Sequence, residues 1–148
     1  MTRRERAENN FKAGYSCAQS LVLAFADLLP ESPETLAKLS SGFGGGMGRL
    51  RETCGAVSGM FFVISMLEGY STPETGAVKA EHYKRIQDLG LAFEEKNGSL
   101  VCRNLLNLPV LHDDPSPSPR TKAYYDARPC ARFIGDAAEI LEDYLRSH

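Results

Sequence analysis

Apolar residues recur along most of this chain at spacings of three and four, the signature of helices buried on one face. Ala7 and Phe11 stand at that spacing among the charges of residues 2–12, and Lys12-Ala13-Gly14 closes the segment with a glycine able to take the left-handed cap conformation. Ser16-Cys17-Ala18-Gln19 reads as a capping box that starts a second helix, whose stripe of Leu21, Val22, Phe25, Leu28 and Leu29 runs to Pro30. Ser32-Pro33-Glu34 combines a cap, a proline at the first helical position and an early acid, and opens a third helix through Leu36 and Leu39 towards Phe43. A fourth is predicted over 51–69. A fifth is predicted over 73–96, behind the start signal Thr72-Pro73-Glu74, with Tyr83, Ile86, Leu89 and Phe93 on its apolar face. Ser99 is placed to cap a short sixth helix, Leu100 to Leu106. Pro129-Cys130 opens the last, lined by Phe133, Ile134, Ala137, Ile140, Leu141 and Tyr144.

Between these last two helices, His112 to Pro119 carries three prolines at alternate positions, which remove amide donors and forbid a regular helix. No segment alternates with the period of a strand, and no internal repeat is present. The expected fold is all-α, a helical bundle of about five to seven helices, with residues 1–148 as a single domain.

Composition narrows the function classes. At 148 residues the chain is long enough to bury roughly 70% of its unfolded surface, so it needs no disulfide or metal to fold. A formal net charge of −2 recommends no nucleic-acid partner. No apolar run reaches the length of a membrane span, and the basic start Met-Thr-Arg-Arg-Glu-Arg lacks the apolar segment of a secretory signal. The expected location is cytoplasmic, where thiols stay reduced. Four cysteines then point to a metal site or to redox chemistry rather than to staples.

Those cysteines, Cys17, Cys54, Cys102 and Cys130, form no Cys-x-x-Cys pair, so zinc ribbons, thioredoxin motifs and haem attachment are excluded. Their settings are more informative than their spacing. Cys17 follows the cap Ser16, Cys130 follows Pro129, Cys102 lies three residues past Ser99, and Cys54 follows Thr53. Cys17, Cys102 and Cys130 are expected in first turns, and Cys54 too if its helix starts at Thr53 rather than a turn earlier; there free amides and the helix dipole favour a thiolate. Arg51, Arg103, Arg128 and Arg132 flank them and can depress a thiol pKa. The competing reading is that cysteine is a small apolar residue filling the core.

Gly44-Gly45-Gly46-Met47-Gly48 can cradle phosphate at a helix start, but it lacks the Gly-Lys-Ser/Thr ending of a P-loop and follows no strand. Close packing beside Cys54 is the better account, with Gly44, Gly45, Gly46 and Gly55 allowing a backbone or cofactor to approach the cysteines. His82 and His148 are expected in solvent, and His112-Asp113-Asp114 sits on a poor platform for a metal.

Gly14-Tyr-Ser-Cys17-Ala-Gln-Ser, the glycine run, Cys54-Gly-Ala-Val-Ser-Gly59, then Cys102 and Cys130 together resemble a redox-active family with four invariant cysteines, one of them in a Cys-Gly-Ala-x-x-Gly motif. The resemblance spans nearly the whole chain and implies redox work without naming a reaction. That family in turn resembles the non-haem part of split-Soret cytochromes, which implies an iron or iron–sulfur site at the cysteines.

Two function classes follow. In the first, the four cysteines converge and act as redox thiols, or as the ligands of an iron–sulfur cluster, iron or zinc. A redox partner protein then supplies or takes electrons. Cys54 and Cys130 are the expected reacting partners, Cys54 for access and Cys130 for its helix-start position, with Cys17 and Cys102 completing the site. In the second class the chain is a helical binding or adaptor module with structural cysteines. The glycine-faced helix around Met60 to Leu67 is either core or the contact of a homodimer.

Overall fold

The computed structural model describes residues 1–73, 76–109 and 112–148. It is all-α: eight right-handed helices are present among the described residues, and the nearest thing to a sheet is a single isolated bridge between Thr53 and Val101. The helices are α1 (Arg3–Lys12), α2 (Cys17–Leu23), α3 (Pro33–Ser40), α4 (Gly55–Glu68), α5 (Gly76–Asn97), α6 (Cys102–Leu105), α7 (Lys122–Ala127) and α8 (Cys130–Ser147).

The local signals act as read. Gly14 takes φ +109° after α1, and the Tyr15 amide returns to the Asn10 carbonyl. Ser16 and Gln19 close the capping box of α2, and Ser32 caps α3 with Pro33 at its first position. Tertiary contacts shift other boundaries. α2 stops at Leu23 and passes into a 3-10 turn, Ala26–Leu28, before Pro30. α4 begins four residues later than predicted, because Arg51 has φ +59° and the next residues are extended against 100–102. α6 starts at Cys102, not Leu100. The Ser99 hydroxyl accepts from the Val101 amide in the approach to the helix and does not cap it. The start signal Thr72-Pro73-Glu74 lies partly outside the described residues. α7 had no apolar stripe to announce it, and Thr121 caps it.

Helices α1, α2, α4, α5 and α8 surround the core, α1 against α8 and α2, α2 against α4 and α8, and α5 against α8 and α4. Phe11, Leu21, Phe25, Met60, Ile64, Phe93, Ile134 and Leu141 are fully buried there. Each such side chain contributes ~1.5–3 kcal/mol relative to exposure. α2 and α4 cross closely at Gly59, where an added Cβ would stand 3.0 Å from the Ala18 carbonyl oxygen and from Leu21 Cβ. On α5 the inner position belongs to His82 rather than to its neighbour Tyr83, which is exposed. His82, expected in solvent, is buried: Ser65 Oγ meets its Nε2 at 3.2 Å, and Arg85 donates to its Nδ1.

Candidate functional site

All four cysteines stand at the head of a helix. Cys17, Cys102 and Cys130 are the first residues of α2, α6 and α8, and Cys54 is the N-cap of α4. The chain draws these helix starts together through two devices. The first is the contact of 52–54 with 100–102: the Cys54 amide donates to Leu100 O at 2.8 Å, and the Cys102 amide to Glu52 O at 2.6 Å. This seats Cys54 beside Cys102.

The second device is the glycine run. Gly45, Gly46, Met47, Gly48 and Arg49 all have φ between +60° and +69°, a turn of left-handed helix closed by the Gly48 amide on Gly44 O. A left-handed residue that carries a Cβ is strained by ~1–2 kcal/mol, and Met47, Arg49 and Arg51 all bear that strain. The turn lets backbone reach the thiols. A Cβ on Gly46 would lie 2.6 Å from Cys102 Cβ and 2.9 Å from Arg51 Cα, and one on Gly55 would lie 2.9 Å from Cys17 Cβ. Gly44 meets Ser16 in the same way. Gly44, Gly46 and Gly55 therefore stand where the helix starts are approached, while Gly45 packs against the Arg49 side chain.

Cys17, Cys102 and Cys130 open on one cavity of about 190 Å³, with Gly44, Gly45, Gly46 and Gly55 in its wall. Cys54, whose bare flanks suggested access, is buried and is not in the cavity wall, and Cys17 is the half-buried one of the four residues. Of the four, Cys17 and Cys130 influence each other's proton affinity most strongly, and Cys130 also acts electrostatically on Cys54, its expected partner.

The four thiols are electrostatically unequal. Burial pushes Cys54 up to about 12, against the opposing pull of the Ala56 and Val57 amides. Burial also raises Cys102, while the Arg51 guanidinium, 3.6 Å from its Sγ, pulls it down. Cys17 lies well above the ordinary thiol value, because it is the proton donor to Cys130 and is itself desolvated. Cys130 alone is held below the ordinary value: it accepts from Cys17, and Arg128, Arg51 and Arg120 surround it. It also heads an 18-residue helix whose free amides favour an anion.

The arginines are only partly those expected. Arg51 precedes Cys54 in sequence but serves Cys102, and its fully buried guanidinium is neutralised by Asp113 at 2.9 Å. Arg128 acts on Cys130 as expected, whereas Arg103 pairs with Glu52 and Arg132 lies over Phe133. Arg49, Arg120 and Tyr124, which also line the cavity, were not singled out by the sequence. Arg120, Tyr124 and Arg128 at steps of four were the available signal. The proline segment closes one wall with Pro117 and Ser118, held by Arg49 Nε donating to the Asp114 carbonyl at 2.6 Å. Asp113 there is an arginine partner rather than a metal ligand.

Among the described residues no helix is long and apolar enough to cross a membrane. No curated protein and no solved structure matches the chain. A family model described as "Putative redox-active protein (C_GCAxxG_C_C)" matches residues 15–144, from just before Cys17 to well past Cys130. The match takes in the glycine turn and all four helix-start cysteines, and the chain belongs to that four-cysteine redox-active family.

Proposed function

We propose that the chain is a thiol-based electron carrier whose working pair is Cys130 and Cys17, with Cys102 on the same cavity and Cys54 behind it. The observation that carries this reading is two thiols of unequal character on one cavity: Cys130, at the start of an 18-residue helix among arginines and held below its ordinary pKa, and Cys17, held above it. The low-pKa sulfur attacks, and the neighbour resolves. In one turnover the two thiols lose two electrons and two protons and form one S–S bond, while a disulfide in a partner protein or small molecule gains them. A reducing compartment such as the cytoplasm suits such a pair.

The same sulfurs are the donor set an iron–sulfur cluster, iron or zinc prefers. As they stand they do not fit one: among the described residues no three Cys, His, Asp or Glu side chains are placed to share an ion. The reaction is accordingly written through sulfur alone.

Reduced protein is oxidised anaerobically with a defined disulfide and mapped by mass spectrometry, and protein purified without oxygen is assayed for iron, zinc and sulfide. A Cys17–Cys130 bond at one per chain, without stoichiometric metal, is the expected result. Stoichiometric iron and sulfide would replace the thiol reading with a cluster. Failure of every cysteine to oxidise or to bind metal would leave a helical adaptor.

A further inference from the structure

The cavity at the cysteine pair is lined by four arginines, Arg49, Arg51, Arg120 and Arg128, and among its described lining residues none is Asp or Glu. Arg49 and Arg51 share the Asp113 carboxylate, at 3.2 and 2.9 Å. Arg120 and Arg128 have no carboxylate partner among the described residues. Both lie over the Tyr124 ring, 5.1 Å from its centroid, and Arg120 is held further by donating to Phe11 O and Tyr15 O. The chain as a whole is net negative, so this positive cluster is local to the thiols. Arg120 spends most of its fork on Phe11 O, Tyr15 O and the Tyr125 hydroxyl and brings chiefly its charge, whereas the Arg128 guanidinium, held on the aromatic face, keeps its fork of donors for a planar anion. The small wall residues Gly44, Gly45, Gly46 and Gly55 leave room over the sulfurs and add no charge.

We propose that this cavity takes a small disulfide bearing carboxylates, bound by Arg120 and Arg128 so that its S–S bond faces Cys130. This rests on the thiol reading above. The Cys130 thiolate attacks one substrate sulfur, forming Cys130–S–S–R and releasing RS⁻. That RS⁻ takes the proton of Cys17. The Cys17 sulfur then attacks Sγ of Cys130, forming the protein disulfide and releasing a second RS⁻. Two protein thiols have lost two electrons, and the substrate's S–S bond has gained them.

Three probes of one skeleton test the charge: 3,3′-dithiodipropionate, a dianion; bis(2-hydroxyethyl) disulfide, neutral; and cystamine, a dication. The rate of Cys17–Cys130 bond formation is followed by mass spectrometry under stopped conditions. At low salt the dianion is expected to react about tenfold faster than the neutral probe, the lower end of focusing in a charged cleft, and cystamine slowest. That ratio should collapse towards one between about 0.01 M and about 1 M salt, as the screening length falls from roughly 30 Å to roughly 3 Å. Arg128→Gln and Arg120→Gln should each lower the ratio, and Arg128→Lys should recover part of it. Using the ratio removes the effect of Arg128 on the Cys130 thiolate, which both probes share. Should a variant misfold by circular dichroism, the salt series on unaltered protein decides. Equal rates for all three probes at low salt, with the Cys17–Cys130 bond forming, would overturn the anionic substrate and leave the thiol function standing. No Cys17–Cys130 bond with any probe would overturn both.

Discussion

Replacing Gly46 by alanine tests how the glycine turn assembles the site. Gly46 has φ +68°, so any side chain there incurs the left-handed strain of ~1–2 kcal/mol. Its Cβ would also stand 2.6 Å from Cys102 Cβ, 2.9 Å from Arg51 Cα and 2.9 Å from the Glu52 nitrogen. Two of those three atoms are backbone, pinned by the hydrogen bonds of 52 and 54 with 100–102, so none can swing aside. Overpacking of that kind adds ~1–3 kcal/mol, for a total loss of about 2–5 kcal/mol. At this chain length that lowers Tm by roughly 5–15 °C. Gly14→Ala isolates the conformational part: φ is +109°, but nothing lies within 4 Å, so ~1–2 kcal/mol is expected. Gly42→Ala meets neither obstacle and should be neutral, or stabilising by up to ~1 kcal/mol. Urea unfolding of the three variants gives the order directly. If Gly46→Ala is no more destabilising than Gly14→Ala, close approach of backbone to Cys102 is not what the glycine is for.

Three further outcomes follow from the site. Limiting iodoacetamide on reduced protein should label Cys130 first, at a pH below the ordinary thiol range. Cys54 should label later, since its thiol is pushed up to about 12, and labelling of Cys54 before Cys130 would refute the electrostatic assignment. Asp113 is held below the usual carboxylate range by Arg51, so its contribution to stability is full above the unfolded value of about 3.9 and is lost as pH falls through the folded value. The gap in urea midpoint between the wild type and Asp113→Asn should therefore close on acidification, and a gap that is constant with pH would exclude the ion pair as its cause. Gly55→Ala pushes on Cys17 Cβ at 2.9 Å. It should uncouple Cys17 from Cys130, seen as a rise in the Cys130 labelling pKa with little change at Cys102.

The parts of this fold set by nearby residues were legible, and the parts set by distant ones were not. Ser16, Gln19, Ser32 and Gly14 act within four positions of themselves, and each does what its type and spacing imply. The start of α4 depends on residues 100–102, almost fifty positions away, and periodicity carries no record of that contact. The site divides the same way. That Cys17 and Cys130 head helices could be read from their flanks, whereas Cys54 and Cys102 reach helix heads only through the contact of 52–54 with 100–102. Which thiols influence each other most depends on how α2 and α8 pack, and the strong mutual effect of Cys17 and Cys130 was not legible from the flanks of either. Arg51 shows the limit of flanking charge, because its positive φ turns it from Cys54 to Cys102.

If Cys17 and Cys130 oxidise as proposed, the gathering of helix starts from both ends of the chain would also couple oxidation to folding. Cys17 and Cys130 lie about 110 residues apart in sequence, and a bond between them would close nearly the whole protein into a ring. Restricting an unfolded chain over that length is worth ~4.7 kcal/mol in the loop-entropy description. By linkage the same free energy draws the pair towards the disulfide, since each ~1.4 kcal/mol shifts a two-electron couple by about 30 mV. A loosened core would lend less of that bias, so heat or mutation far from the sulfurs would move the redox poise. The melting temperature of such a molecule is then a readout of its oxidation state.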